Sequence, residues 1–383
     1  MAAASTSASH IDASTQPSAS VANDPSGAVT EDEAALYDRQ IRLWGLEAQN
    51  RLRTAHILVV GWDGIATETI KNTVLSGIGR LTILDPTLID ASADLVSGFF
   101  FRDEEVGELK CSAGPLDRVR ALNPLVKVQG ISDADTYAVV TAGGELAQAW
   151  LKEHGVDVVV VAASLPHSRS SEGGIKERLI TLNDATRAAG VKFFLSATYG
   201  LGGFYFADQI THDYIIERTI PSTNGGEAEK KRVKQRQAFV TLSDSLAHSW
   251  AGMGVRQQRR TRPPLDWFLW LALTTLSSQG SVTAAALRER TEDVIREKGF
   301  AVDVVLPAGE EGTRAVESAA RLAGMSTLAP IASVLGGMMS QDILNSISGR
   351  ENPIVNWLFL HSDASGAATV HQIGQLPGAD IVD

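Results

Sequence analysis

The sequence predicts an α/β fold: a doubly wound, mostly parallel sheet with a helical insertion and antiparallel closing strands. Three observations predict it. Short apolar, β-branched runs alternate with stretches of helical periodicity from residue 56 to residue 198. Strands separated by helices run parallel, because each crossover returns the chain across a face of the sheet. A glycine turn, "VVGWDG", joins the first run to the helix after it. Beyond Gly200 the pattern changes to closely spaced short runs, which suit antiparallel pairing.

Of residues 1–30, 18 are Ala, Ser or Thr. Such a segment buries too little apolar surface to offset its ordering entropy, so a disordered tail is expected over 1–33. Order is expected from Ala34. There "AALYDRQIRLWGLEAQNRLRTA" reads as helix, anchored by Leu36, Ile41, Leu43 and Leu52 and broken in two at Gly45. "HILVVG" (56–61) reads as a buried strand. "IATETIKNTVLSG" (65–77) has Ile65, Ile70, Val74 and Leu75 at helical spacing and ends on glycine. "LTILD" (81–85) is a second strand, followed by a helix near 104–121, a strand at 126–131 and a helix near 142–154. A strand at 156–163, a helix at 171–189 and a strand at 191–198 complete the alternation. "FYFADQ" and "YIIERT" are short strands, and the polar stretch 221–237 reads as a mobile loop. Helices are expected at about 265–277, 282–298, 313–322 and 327–348, then strands at 356–362 and near 367–373. The chain thus divides into the first part of a Rossmann-like domain (34–210), a loop and helical insertion (211–325), and a closing helix with strands (326–383).

The 383 residues are 44% hydrophobic and 21% charged, the balance of an ordinary soluble protein, with a formal charge of −11. An acidic chain is poorly suited to nucleic acid, which demands clustered positive charge. The single cysteine, Cys111, excludes an internal disulfide and a cysteine-based zinc site, and the histidines lack ligand spacing, so no metal site is expected. No apolar run is long enough to span a bilayer, and no leader is recognisable in the first thirty residues. A soluble intracellular protein is expected, with no membrane partner.

The turn after the first strand carries the chemistry. In nucleotide folds it reads G-x-G-x-x-G, where glycines let the backbone approach phosphate and the helix N-terminus supplies partial positive charge. Gly61 and Gly64 are present, but Asp63 stands at the middle glycine and Ala66 at the last. A carboxylate about 4 Å from a phosphate charge costs about 4 kcal/mol at an effective dielectric of about 20. Asp85 ends the second strand, where an acid can accept a ribose hydroxyl. The motif fits equally a packing turn that binds nothing.

"LYDRQIRLWGLEAQNRLRTAHILVVG" is more specific. It resembles the start of the adenylation half of the ubiquitin-like activating enzymes, which are themselves similar to the bacterial sulfur-carrier adenylases. "FFFRDEEVGELK" (99–110) resembles the family's F-L-F-R-x-x-x-x-G-x-x-K segment. "VKFFLSATYGLGGFYFAD" (191–208) and residues 328–363 resemble the later strand, glycine turn and closing helix. The resemblance covers 34–210 and 326–370. Within the family, "YDRQIRLWGLEAQ" and the length are most similar to the small subunits of the heterodimeric SUMO-activating enzymes, with the Rub-type counterpart as the alternative.

The resemblance implies an adenylation fold whose own pocket has decayed. Active members carry Asn-Leu-Asn-Arg-Gln where this chain has Asp94-Leu95-Val96-Ser97-Gly98, and Asp-x-x-Asp-Asn where it has Val161 to Leu165. Without those carboxylates a magnesium ion bridging phosphates has no anionic anchor. The degenerate pocket would comprise Gly61, Asp63, Gly64, Asp85 and Lys110, the last matching a family lysine that contacts ATP phosphates. The resemblance further implies that ATP and magnesium are bound by a larger, cysteine-bearing partner subunit, with none in this chain. SUMO and, through the complex, a conjugating enzyme would be the other partners.

Arg39 matches a family arginine that reaches in trans into the partner's ATP site. Read from the residues alone, it pairs with Asp38 or Glu47 on a helix surface. Cys111 reads as a small apolar filler rather than a thioester carrier. "KKRVKQR" (230–236) fits either a nuclear localisation signal, which goes with a nuclear and cytoplasmic location, or a solvated loop. Trp267, Phe268 and Trp270 read as the core face of a helix. A nicotinamide oxidoreductase is a rival reading, and Asp63 opposes its pyrophosphate.

Overall fold

All five residues of His56–Val60 (β1) are buried, as a strand flanked by others and covered on both faces must be. The computed structural model describes residues 31–162, 174–199, 201–220, 229–276, 282–322, 326–361 and 367–382. Around β1 lie Arg80–Leu84 (β2), Lys127–Ile131 (β3), Val158–Ala162 (β4) and Lys192–Tyr199 (β5), all mutually parallel. Gly202–Asp208 (β6) runs antiparallel to β5. A second, smaller sheet starts with Thr211–Ile220 (β7) and Glu229–Ala238 (β8). Trp357–Leu360 (β9) and Ala368–His371 (β10) extend the main sheet antiparallel, and Asp380–Ile381 (β11) joins the small one. The main sheet has the order β10-β9-β6-β5-β4-β1-β2-β3. The fold is the expected doubly wound α/β sheet with antiparallel closing strands.

The strand period of two places alternate residues in two separate cores. Leu58, Val60, Val159, Phe193, Leu195 and Trp357 face one, and Ile57, Val59, Val160, Phe194 and Leu358 face the other. The first core is covered by the helical insertion. Trp267, Phe268 and Trp270 on helix Leu265–Leu276 are fully buried there, and the Trp270 ring lies 4.8 Å from Phe204 and 5.9 Å from Trp357. The second is covered by helix Gly64–Leu75 and helix Ala329–Ser348, which pack on each other. Gly336 sits at their crossing, where a Cβ would strike Glu68.

Several elements differ from the sequence expectation. Helix begins at Glu31, not Ala34. The break at Gly45 is where expected, at φ 85°. The helix expected near 142–154 is Gly144–Glu153, and a helix the sequence reading did not expect, Ala134–Ala142, precedes it, separated where Gly143 and Gly144 both take positive φ. Of 104–121 only Ala113–Arg120 is α-helical, with Pro115 in its first turn. The described part of the expected loop at 221–237 is the strand β8. Arg232, Lys234 and Arg236 project outward while Gln235 and Gln237 are buried, so the alternation is charged against polar and gives no hydrophobic signal. Residues 221–228 lie outside the described set.

A degenerate nucleotide-type pocket

The strand order reverses between β1 and β4, and in open α/β sheets the ligand crevice opens at such a point, beyond the strands' carboxyl ends. A cavity of about 280 Å³ lies there. It brings together all five residues expected at the pocket: Gly61, Asp63, Gly64, Asp85 and Lys110. Gly61 takes φ 82°, which a side chain would strain. Trp62 then anchors the turn from behind, buried at 5.0 Å from the Phe101 ring and 6.0 Å from Phe100.

Asp63 has a defined task. It is the N-cap of helix Gly64–Leu75, and its Oδ1 accepts the Ala66 N–H at 2.9 Å. The helix end that would bind phosphate is therefore met by the chain's own carboxylate. A Cβ at Gly64 would overlap Ser97 Oγ, so the turn at 94–98 closes directly on this helix end.

Lys110 is equally engaged. Its side chain is 12% exposed, and its ammonium lies 2.8 Å from Asp94 Oδ1 and 3.9 Å from Asp85 Oδ2 and donates to the Trp62 carbonyl at 3.0 Å. Burial alone would lower its pKa, but Asp85 and Asp94, joined by Asp63, outweigh that and raise it. Both Asp85 oxygens accept bonds: Oδ2 from the Trp62 amide at 2.7 Å, Oδ1 from the Thr87 amide and hydroxyl at 2.8 and 2.6 Å. The lining carries four carboxylates, Asp63, Asp85, Asp90 and Asp94, against two cations, Lys110 and Arg178. The residues present do not fit a nucleoside triphosphate or a dinucleotide, whose phosphates would meet this excess of negative charge.

Tyr137, Thr141 and Arg178 are pocket residues that the sequence did not single out, and Asp94 joins them from the stretch matched to the family's Asn-Leu-Asn-Arg-Gln. Arg178 donates to Thr141 Oγ1. It stands in the first turn of the helix after β4, which the topology points at the crevice, and Tyr137 and Thr141 share a helix face at i and i+4. Of the stretch matched to the family's Asp-x-x-Asp-Asn, Val161 lines the pocket, while Ala163, Ser164 and Leu165 lie outside the described residues.

Cys111 follows Lys110 but packs against the second core, with its thiol directed at the Ile83 carbonyl at 3.6 Å. Burial, reinforced by the Asp85 charge, pushes the thiol up to about 12, so it stays protonated and non-nucleophilic.

Arg39 lies away from this pocket, exposed on helix Asp38–Trp44. The two carboxylates considered for it are taken by arginines one turn along. Asp38 pairs with Arg42 at 3.0 Å and Glu47 with Arg51. Among the described residues the Arg39 guanidinium has no partner.

The chain belongs to the ThiF family, whose pattern matches residues 37–375. Among curated proteins it is 29% identical to SUMO-activating enzyme subunit 1 of Xenopus laevis, covering 88% of this chain and 95% of the relative. It is also 29% identical to DNA damage tolerance protein rad31 of Schizosaccharomyces pombe, with 90% and 98% covered. Among solved structures, E. coli MccB with MccA-N7isoASN aligns over 89% of this chain and 72% of that one, at TM-score 0.47 and 13% identity.

Proposed function

We propose that this chain is the non-catalytic subunit of a heterodimeric SUMO-activating enzyme. One observation carries the reading: the phosphate end of its pocket is filled by its own Asp63 and by the Lys110–Asp94 pair. The names of its curated relatives support SUMO as the modifier. In the complex the larger subunit binds ATP and magnesium and adenylates the SUMO C-terminal glycine, releasing pyrophosphate. That subunit's cysteine then displaces AMP from the adenylate and carries SUMO as a thioester to the conjugating enzyme. Cys111, with its protonated thiol, takes no part.

This chain contributes a docking face and a charge. Leu36, Leu43, Leu46, Leu75, Phe99 and Val334 are exposed, Leu43 at 81%, around helices Asp38–Trp44, Gly64–Leu75 and Ala329–Ser348. An apolar face of this kind suits a permanent partner. Arg39 stands among them and, unpaired at home, is available to stabilise charge developing on the partner's α-phosphate. The basic run at 230–236 supports a nuclear as well as cytoplasmic location. Offering SUMO and a Rub-type modifier to the reconstituted pair tests the reading. Thioester formation with SUMO is expected; thioester with the Rub-type modifier alone would reassign the subunit.

A further inference from the structure

At the other end of the sheet, β1, β2 and β3 begin with His56, Arg80 and Lys127. They stand in one row: His56 is in register with Arg80, and Arg80 with Lys127. Like charges directly opposed on neighbouring strands repel and destabilise a sheet. Among the described residues no carboxylate forms an ion pair with either. Arg80 reaches only the His154 carbonyl, at 3.5 Å, and the Lys127 ammonium has no partner among the described residues.

The row opens on a cavity of about 330 Å³, lined also by Arg53, Glu33 and His154. Glu33 is the only carboxylate in the lining, and it pairs with Arg53 at 3.0 Å. Asp157 is outside the lining and accepts the His56 amide at 2.8 Å. Three permanent cations against one acid therefore surround a hollow in a chain whose net charge is −11. Local rules are broken in this way where a site is built for something.

We propose that this cavity binds a phosphate-type anion, either free or as the phosphoryl group of a modified side chain. The Arg80 guanidinium offers a planar fork to two of its oxygens, and Lys127 supplies a compact point charge to a third. A bound dianion turns the Arg80–Lys127 repulsion into two attractions. The site lies across the sheet from the acidic pocket, whose lining opposes the same ligand, and is independent of the assigned role in SUMO activation.

Calorimetric titration and thermal melts of the full-length chain test this, at ionic strength matched with chloride. The probes are inorganic phosphate, pyrophosphate and O-phosphoserine. At least one should bind and raise the melting temperature by a few degrees. A stronger response to pyrophosphate marks a free anion, and a stronger response to O-phosphoserine marks a phosphoryl side chain. R80Q/K127Q should lose the response and, without anion, melt no lower than the parent. Lys127→Gln alone, at an exposed position, should weaken affinity roughly tenfold or more. No response in the parent, or affinity unchanged by Lys127→Gln, would overturn the assignment.

Discussion

Arg39 and Cys111 show how much a single side chain discloses. The resemblance nominated Arg39, while its own segment offered Asp38 and Glu47 as plain ion-pair partners. In the structure those two carboxylates pair with Arg42 and Arg51 instead. Arg39→Ala should leave the heterodimer assembled and slow SUMO-dependent adenylation by about a hundredfold, the scale for losing one pre-positioned charge-stabilising group. Pyrophosphate exchange at the parent rate would refute the role. Cys111→Ala should leave thioester formation by the complex unchanged. The native thiol, held at about 12, should react with iodoacetamide at neutral pH at least about a hundredfold more slowly than in the unfolded chain.

The pocket was half legible at this scale. Gly61, Asp63, Gly64, Asp85 and Lys110 follow from strand ends and the glycine turn, and they meet in one cavity. Tyr137, Thr141 and Arg178 come from two further helices, and only the crossing of the chain brings them there. Asp63 illustrates the other gap. Its charge was legible as an obstacle to phosphate, whereas its work as a helix cap is a matter of backbone geometry.

At the scale of elements, the cap has a measurable weight. Asp63→Ala should cost about 1 kcal/mol of stability in chemical denaturation. It should not create ATP binding, since Lys110 remains tied to Asp94. Helix Ala329–Ser348 carries a second testable group. Burial, partly offset by the Ile354 amide and the Lys192 charge, pushes Asp342 up to about 7. Unfolded, an aspartate ionises near pH 4, so between about 4 and 7 the folded state keeps a proton that the unfolded state has lost. Stability from this group therefore falls as pH rises through that window. The stability difference between the parent and Asp342→Asn should move in favour of the variant from about pH 4 to about pH 7, then level off. A difference independent of pH would show that Asp342 is ionised normally. Strands and helices of the main sheet were readable because apolar residues recur at periods of two and 3.6. β8 was not, since charged residues occupy its outer face and glutamines its inner one.

At the scale of the molecule, two cores enclose one sheet, and helices Asp38–Trp44, Gly64–Leu75 and Ala329–Ser348 carry the exposed Leu43, Leu75 and Val334. Leu43→Asp places a charge in the middle of the proposed docking face. It should leave the isolated chain folded, since Leu43 is 81% exposed, and abolish co-elution with the larger subunit on gel filtration. Co-elution at parent yield would move the interface elsewhere.

On the proposed reading, an adenylation fold has given up its own chemistry and serves a partner's. ATP–pyrophosphate exchange with SUMO measures this most directly, run on the purified chain, the larger subunit and the mixture. No exchange is expected from this chain alone, and exchange by the mixture should be accompanied by a SUMO thioester on the larger subunit. Exchange catalysed by this chain in isolation would contradict that reading.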